Sequence, residues 1–196
     1  MCNKLFGFIL LLFCLTTVNA APNPADYHKA VFALHEKQIA QHTIRIEEEK
    51  GKYEGASAAS YSYVDTRYYD AANGHLLSYV RRDGDDPTLV NIIEVNIFEN
   101  GRITRDFGSV TLPWKPLNPI RTMINFHQYN GALHSFRQYD IYGQVTYEFC
   151  EGKLAEKPIE ISLEEADLNS KNRATAEYKA CFEGIQTEWA QFTNPH

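Results

Sequence analysis

The chain has 196 residues, of which 44% are hydrophobic and 22% charged, and a formal net charge of −6; that is one domain's length, with enough apolar material for a core. Its acidic groups are dispersed apart from Glu47-Glu48-Glu49 and Asp85-Asp86, and no basic stripe occurs. Nucleic acid and anionic membrane surfaces are therefore weak candidates as partners.

Residues 1–20, "MCNKLFGFILLLFCLTTVNA", combine Lys4, an apolar run from Leu5 to Leu15 and the small-x-small triplet Val18-Asn19-Ala20. This pattern predicts a secretory leader cleaved before Ala21, with 21–196 as a single domain, periplasmic or secreted. The apolar run is shorter than the ~20 residues a bilayer span requires, so the mature chain is expected not to span a membrane. Cys2 and Cys14 leave with the leader, and Cys150 and Cys181 remain. Two cysteines in an exported chain predict one disulfide; closing a loop of about 30 residues is worth roughly 3–4 kcal/mol.

From about Ala25 to Lys50 the composition favours a helix without internal Gly or Pro, ending at Gly51. Such a helix would be about 38 Å long at 1.5 Å per residue, enough to cross a sheet diagonally or to project and support oligomerisation. His28, His35 and His42 recur along it at intervals of seven, about 10.5 Å along the axis and too far for neighbouring imidazoles on one metal. They form either a pH-sensitive helix face or imidazoles satisfied beside the apolar stripe of Tyr27, Val31 and Leu34.

From Tyr61 onward, runs rich in Tyr, Val, Ile, Phe and Thr alternate with turn residues. Asn73-Gly74 and Asn100-Gly101 are strong hairpin signals, and Tyr142-Gly143 a weaker one. Strands are expected at 60–69, 75–82, 88–98, 102–112, 133–140 and 144–150, with a further one in "PIEISL". Ile93, Val95 and Ile97 then share one face while Glu94 and Asn96 point away, as in a strand with one wet side. The face of the first of these strands that carries Tyr61, Tyr63, Asp65, Arg67 and Tyr69 is either core margin or exposed surface.

"LPWKPLNPIRTMINFHQYNG" interrupts the hairpins. Pro113, Pro116 and Pro119 forbid a central strand there, while Asn118-Pro119 and the spacing of Ile120, Met123, Ile124 and His127 predict a short helix stopped at Asn130-Gly131. Trp114, stiffened by Pro113 and Pro116, is a candidate docking residue or a cover for the sheet's end. At the C-terminus, Ala174, Tyr178, Cys181, Phe182, Ile185, Trp189 and Phe192 predict a helix over 170–192 with one apolar stripe. The disulfide would pin that helix to the last hairpin. The expected class is thus α+β: an antiparallel meander of six or seven strands packed by a long N-terminal, a short middle and a C-terminal helix.

No zincin, nucleophile-elbow or phosphate-loop motif occurs, so no cofactor and no metal are expected. His127 and His134 flank Asn130-Gly131 and could meet across it, with Asp140 nearby, as a small acid–base site. "RRDGDDP", 81–87, lacks the alternating ligands and closing Glu of a calcium loop and reads as a solvated connection. The units "YYDAANG" and "IFENG" resemble the Tyr-Asp-x-x-Gly hairpins of YD-type repeats and MORN-like arrays, a resemblance that implies a binding scaffold. It covers the turns only, since Gly74, Gly101 and Gly143 are 27 and then 42 residues apart.

These readings lead to an exported, non-catalytic binding protein of the cell envelope, whose partner is a protein or envelope component met at Trp114, Pro113 and Pro116 or at His35 and His42. The alternatives are a small-molecule or lipid carrier with an apolar cavity, and an enzyme using His127 and His134. An apolar pocket would favour the carrier. A cleft joining both histidines to a carboxylate would favour the enzyme.

Overall fold

The computed structural model describes residues 22–54 and 60–186; the leader, Trp189 and Phe192 lie outside them. A helix, α1 (Pro24–Gln41), precedes nine strands: β1 (Ile44–Glu54), β2 (Ser60–Asp70), β3 (Leu76–Asp83), β4 (Val90–Glu99), β5 (Arg102–Val110), β6 (Arg121–Asn130), β7 (Leu133–Tyr139), β8 (Val145–Leu154) and β9 (Lys157–Glu164). Two short helices follow a single 3₁₀ turn, α2 (Ser170–Arg173) and α3 (Ala176–Phe182). The strands form one sheet in sequence order, each antiparallel to its neighbours. The α+β meander is therefore present, with nine strands in place of six or seven.

Asn23 caps α1 by accepting from the Ala25 N–H at 2.9 Å, and Pro24 occupies the first turn where no N–H is needed. The helix stops at Gln41, and the segment expected to prolong it is β1. Ile44 and Ile46 alternate with charged residues, and pairing along the whole of β2, from Ile44↔Asp70 to Glu54↔Ser60, outweighs the helical preference of Glu and Lys. Those charges suit an edge strand, where they discourage pairing with other chains. Shortened to 18 residues, α1 lies on β3 to β6 and does not project.

Asn100 and Gly101 both take positive φ, 52° and 75°, as a two-residue type I′ hairpin requires. At Asn73-Gly74 only Gly74 does, and the longer connection closes through the Gly74 N–H donating to the Asp70 carbonyl. Asn130-Gly131, expected to end a helix, turns β6 into β7. The middle helix is absent because Thr122, Ile124 and Phe126 follow the two-residue period of a strand and bury on one side. The spacing of Met123, Ile124 and His127 fits both periods, and the three prolines end before β6 begins. The C-terminal helix is likewise broken: α2 and α3 are separate, and Gly184 at φ 84° ends the second.

Cross-strand register sorts the sheet into two faces. On one, Ser78, Val95, Phe107, Ile124 and Tyr139 stand opposite one another across five strands. This face is covered: Tyr27, Val31 and Leu34 of α1 and Tyr178, Cys181 and Phe182 of α3 close the core on it. The Cys150–Cys181 disulfide ties α3 to β8 with Cα atoms 6.0 Å apart. Beside it the buried Glu148 accepts from Arg137 Nε at 2.6 Å and from the Tyr178 hydroxyl at 2.9 Å. Among the described residues no helix is long and apolar enough to cross a membrane.

Candidate functional site

One residue along each strand, the other face carries a different row: Asn96, Asp106, Asn125, Gln138, Tyr147 and Glu164 are successive register partners from β4 to β9. Alongside it run Glu94, Gly108 and Met123. These residues, apart from Gly108, line one cleft of about 310 Å³ together with Arg121 and Phe136. Five strand spacings of about 4.8 Å separate β4 from β9 in a flat sheet. A cleft bounded by residues of both strands therefore runs across six strands of this face.

Gly108 helps to shape the floor. A Cβ there would lie 2.4 Å from Met123 Cε, so the missing side chain is the space over which Met123 lies. Hydrogen bonds then orient the amides. Asn96 Nδ2 donates to the Leu76 carbonyl at 2.7 Å, and Asn125 Nδ2 donates to Asp106 Oδ1, which leaves both side-chain oxygens free of these bonds. Asn125 is 8% exposed, and its Oδ1 is buried without a hydrogen-bond partner among the described residues. Gln138 is oriented the other way: its Oε1 accepts from Arg121 Nη2 at 2.8 Å and Thr146 Oγ1 at 3.1 Å, so here the amide oxygen and not the NH₂ is engaged.

His127 and His134 do meet, and the carboxylate they meet is Asp106. His127 Nε2 lies 2.7 Å from Asp106 Oδ2, and its Nδ1 lies 3.0 Å from His134 Nε2. Since a carboxylate only accepts, the geometry assigns the His127 proton to Nε2, with Nδ1 accepting from His134. Stacking continues the chain outward, through His134 on Tyr129 and Arg102 over the Tyr129 ring. Both oxygens of Asp106 and both nitrogens of His127 are engaged, so the network braces the cleft wall. Asp140 is elsewhere, accepting from the Tyr142 and Gln144 N–H groups in the β7–β8 turn.

No family model, curated protein or solved structure matches this chain. What the cleft does must be read from its chemistry.

Glu94, Asp106 and Glu164 outnumber Arg121 as charged groups in the lining. Glu94 is exposed, yet partial desolvation by its neighbours, then the charge of Asp106, raises its carboxyl above the ordinary range, and Arg121 opposes the shift. No hydrogen bond or ion pair to the Glu94 carboxylate occurs among the described residues. Phe136 and Tyr147, with ring centroids 5.7 Å apart, supply the apolar wall. Such a lining accepts hydrogen bonds, carries negative charge and offers aromatic faces. Among the described residues no group of three or more His, Cys, Asp or Glu is arranged to hold a metal.

The other residues singled out from the sequence lie apart from this cleft. His35 is 1% exposed, with Nδ1 2.7 Å from Ser78 Oγ, so it presents nothing to a partner. His28 lies similarly 3.0 Å from Ser109 Oγ, and His42 at the end of α1 lies 3.2 Å from Asp70 Oδ2. Trp114 stands 66% exposed on the loop between β5 and β6, flanked by the half-buried Pro113 and Pro116, and touches Tyr61 edge-on. On the strands nearest β1 the open face is self-paired: Arg81 holds Asp65 through two hydrogen bonds and lies 3.8 Å over the Tyr63 ring. Asp106 and Glu94 were missed as site residues, because only the register shows that they share a wall.

Proposed function

We propose that this is an exported, non-catalytic binding protein that receives a small polar ligand in the cleft of its open sheet face. The observation that carries the reading is the unbroken transverse row from Asn96 to Glu164, with an unpartnered acceptor at Asn125. Buried polar groups are normally satisfied, and a cleft wall that leaves one unpartnered beside aromatic and charged groups has the composition of a ligand pocket. The disulfide supports export, since such bonds persist in oxidising compartments. The polar lining argues against a lipid carrier, and the absence of His127 and His134 from that lining argues against acid–base catalysis in the cleft. An envelope partner docking at the exposed Trp114 is compatible with a ligand site on the adjoining face.

Native mass spectrometry of the protein exposed to a small-molecule extract of its host tests this reading. Gly108→Val pushes Met123 into the cleft, and Asn96→Ala removes one acceptor. The proposal expects a bound small molecule that both folded variants lose. Retention of the adduct by both variants would place binding elsewhere and refute the cleft.

A further inference from the structure

Taking the cleft as the ligand site, we infer that it selects a small organic cation, a compound bearing a primary ammonium or guanidinium group. The hydrogen-bond accounting is asymmetric. Asn96 and Asn125 spend their NH₂ groups on Leu76 and Asp106, so the β4–β6 side of the cleft is rich in oxygen acceptors: the Asn96 amide oxygen, the Glu94 carboxylate and, buried in the wall, the unpartnered Asn125 oxygen. The buried Asn125 Oδ1 has no donor among the described residues, and amide nitrogen cannot be turned toward Asp106's neighbour without breaking the bond to that carboxylate. A ligand that donates hydrogen bonds completes this wall; one that only accepts cannot.

Charge points the same way. Three carboxylates face one guanidinium, and that guanidinium, Arg121, is directed to Gln138. Asp106 accepts hydrogen bonds on both oxygens, from Asn125 and His127, whereas the Glu94 carboxylate accepts none among the described residues. Partial desolvation by its neighbours and the Asp106 charge hold the exposed Glu94 carboxyl above its ordinary range, and a bound cation would oppose that shift. The faces of Phe136 and Tyr147 attract cations through the ring quadrupole. A volume of about 310 Å³ lies at the small end of ligand pockets, which favours a compact amine over a peptide or a lipid.

Four probes built on a four-carbon chain separate the possibilities: 1,4-diaminobutane, agmatine, 1,4-butanediol and succinate, titrated by calorimetry and by amide shift mapping. Saturable single-site binding of an amine is expected, with shifts centred on 94–96, 106–108 and 123–125. Glu94→Gln should weaken it by about tenfold or more. Glu36→Gln, on the exposed side of α1 and away from this face, should leave it unchanged and so exclude general attraction to an acidic protein. Preference for butanediol or succinate at the same amides would overturn the cation inference while leaving the cleft as a ligand site. Absence of cleft shifts with all four probes would overturn both.

Discussion

Two rows of side chains, one residue apart on the same strands, are built to opposite ends. Ser78, Val95, Phe107, Ile124 and Tyr139 meet the helices and exclude water. Asn96, Asp106, Asn125 and Gln138 look into an open cleft that keeps carboxylates close together. On the covered face polar groups come mostly in pairs, as with His35 and Ser78 or Glu148 and Arg137. On the open face the Glu94 carboxylate and the Asn125 Oδ1 lack such partners among the described residues. Substitution should therefore weaken the fold on one face and strengthen it on the other. Asn91, at the bulge between β3 and β4, is buried with neither side-chain atom bonded among the described residues, and nothing in the structure explains it.

The largest expected effect is on the covered face. Glu148→Ala strips the partner from Arg137 and Tyr178 and should cost about 3–5 kcal/mol, the usual penalty for breaking a buried ion pair, read from the denaturant midpoint. A loss below about 1 kcal/mol would mean that this network does not hold α3. Replacing Cys150 and Cys181 by Ala should cost about 2–4 kcal/mol through the freed loop and leave amine binding unchanged. Loss of binding together with the disulfide would tie the two faces into one unit.

His35 sets an acid limit. Burial, then the charge of Arg82, lowers its pKa from 6.5 to about 4. The unfolded chain thus takes up this proton first, so the contribution is present above the ordinary His range and is lost as pH falls from about 6.5 towards about 4. NMR titration should find His35 near 4; a value near 6.5 would contradict its burial. The smallest effect belongs to Trp114. At 66% exposure, Trp114→Ala should change stability by no more than about 0.5 kcal/mol, and a larger loss would show that it covers the sheet's end.

Local chemistry made much of the covered face legible. Alternation in β4 separated Ile93 and Val95 from Glu94 and Asn96, and the two cysteines announced the contact between β8 and α3. The elements misread are those where a local pattern served two periods, as in β6, or where helix-forming charges defend a sheet edge, as in β1. Behind the cleft wall, His127 and His134 were legible because one turn joins them. Asp106 was not, since it arrives from β5 and becomes a neighbour only through its register with Asn125. A row across six strands has no linear signature, so the wet face of β4 was visible while its purpose was not.

Glu94→Gln brings the two faces to a single decision. Because the Glu94 pKa is raised in the fold, folding is penalised as pH climbs from the ordinary carboxyl range through that raised value, and the neutral amide escapes the penalty. Thermal unfolding at neutral pH, with and without 1,4-diaminobutane, should show a variant more stable than the parent whose melting temperature no longer responds to the amine. A variant that is less stable and still responds would contradict the account of the open face as a charged site maintained at the expense of stability.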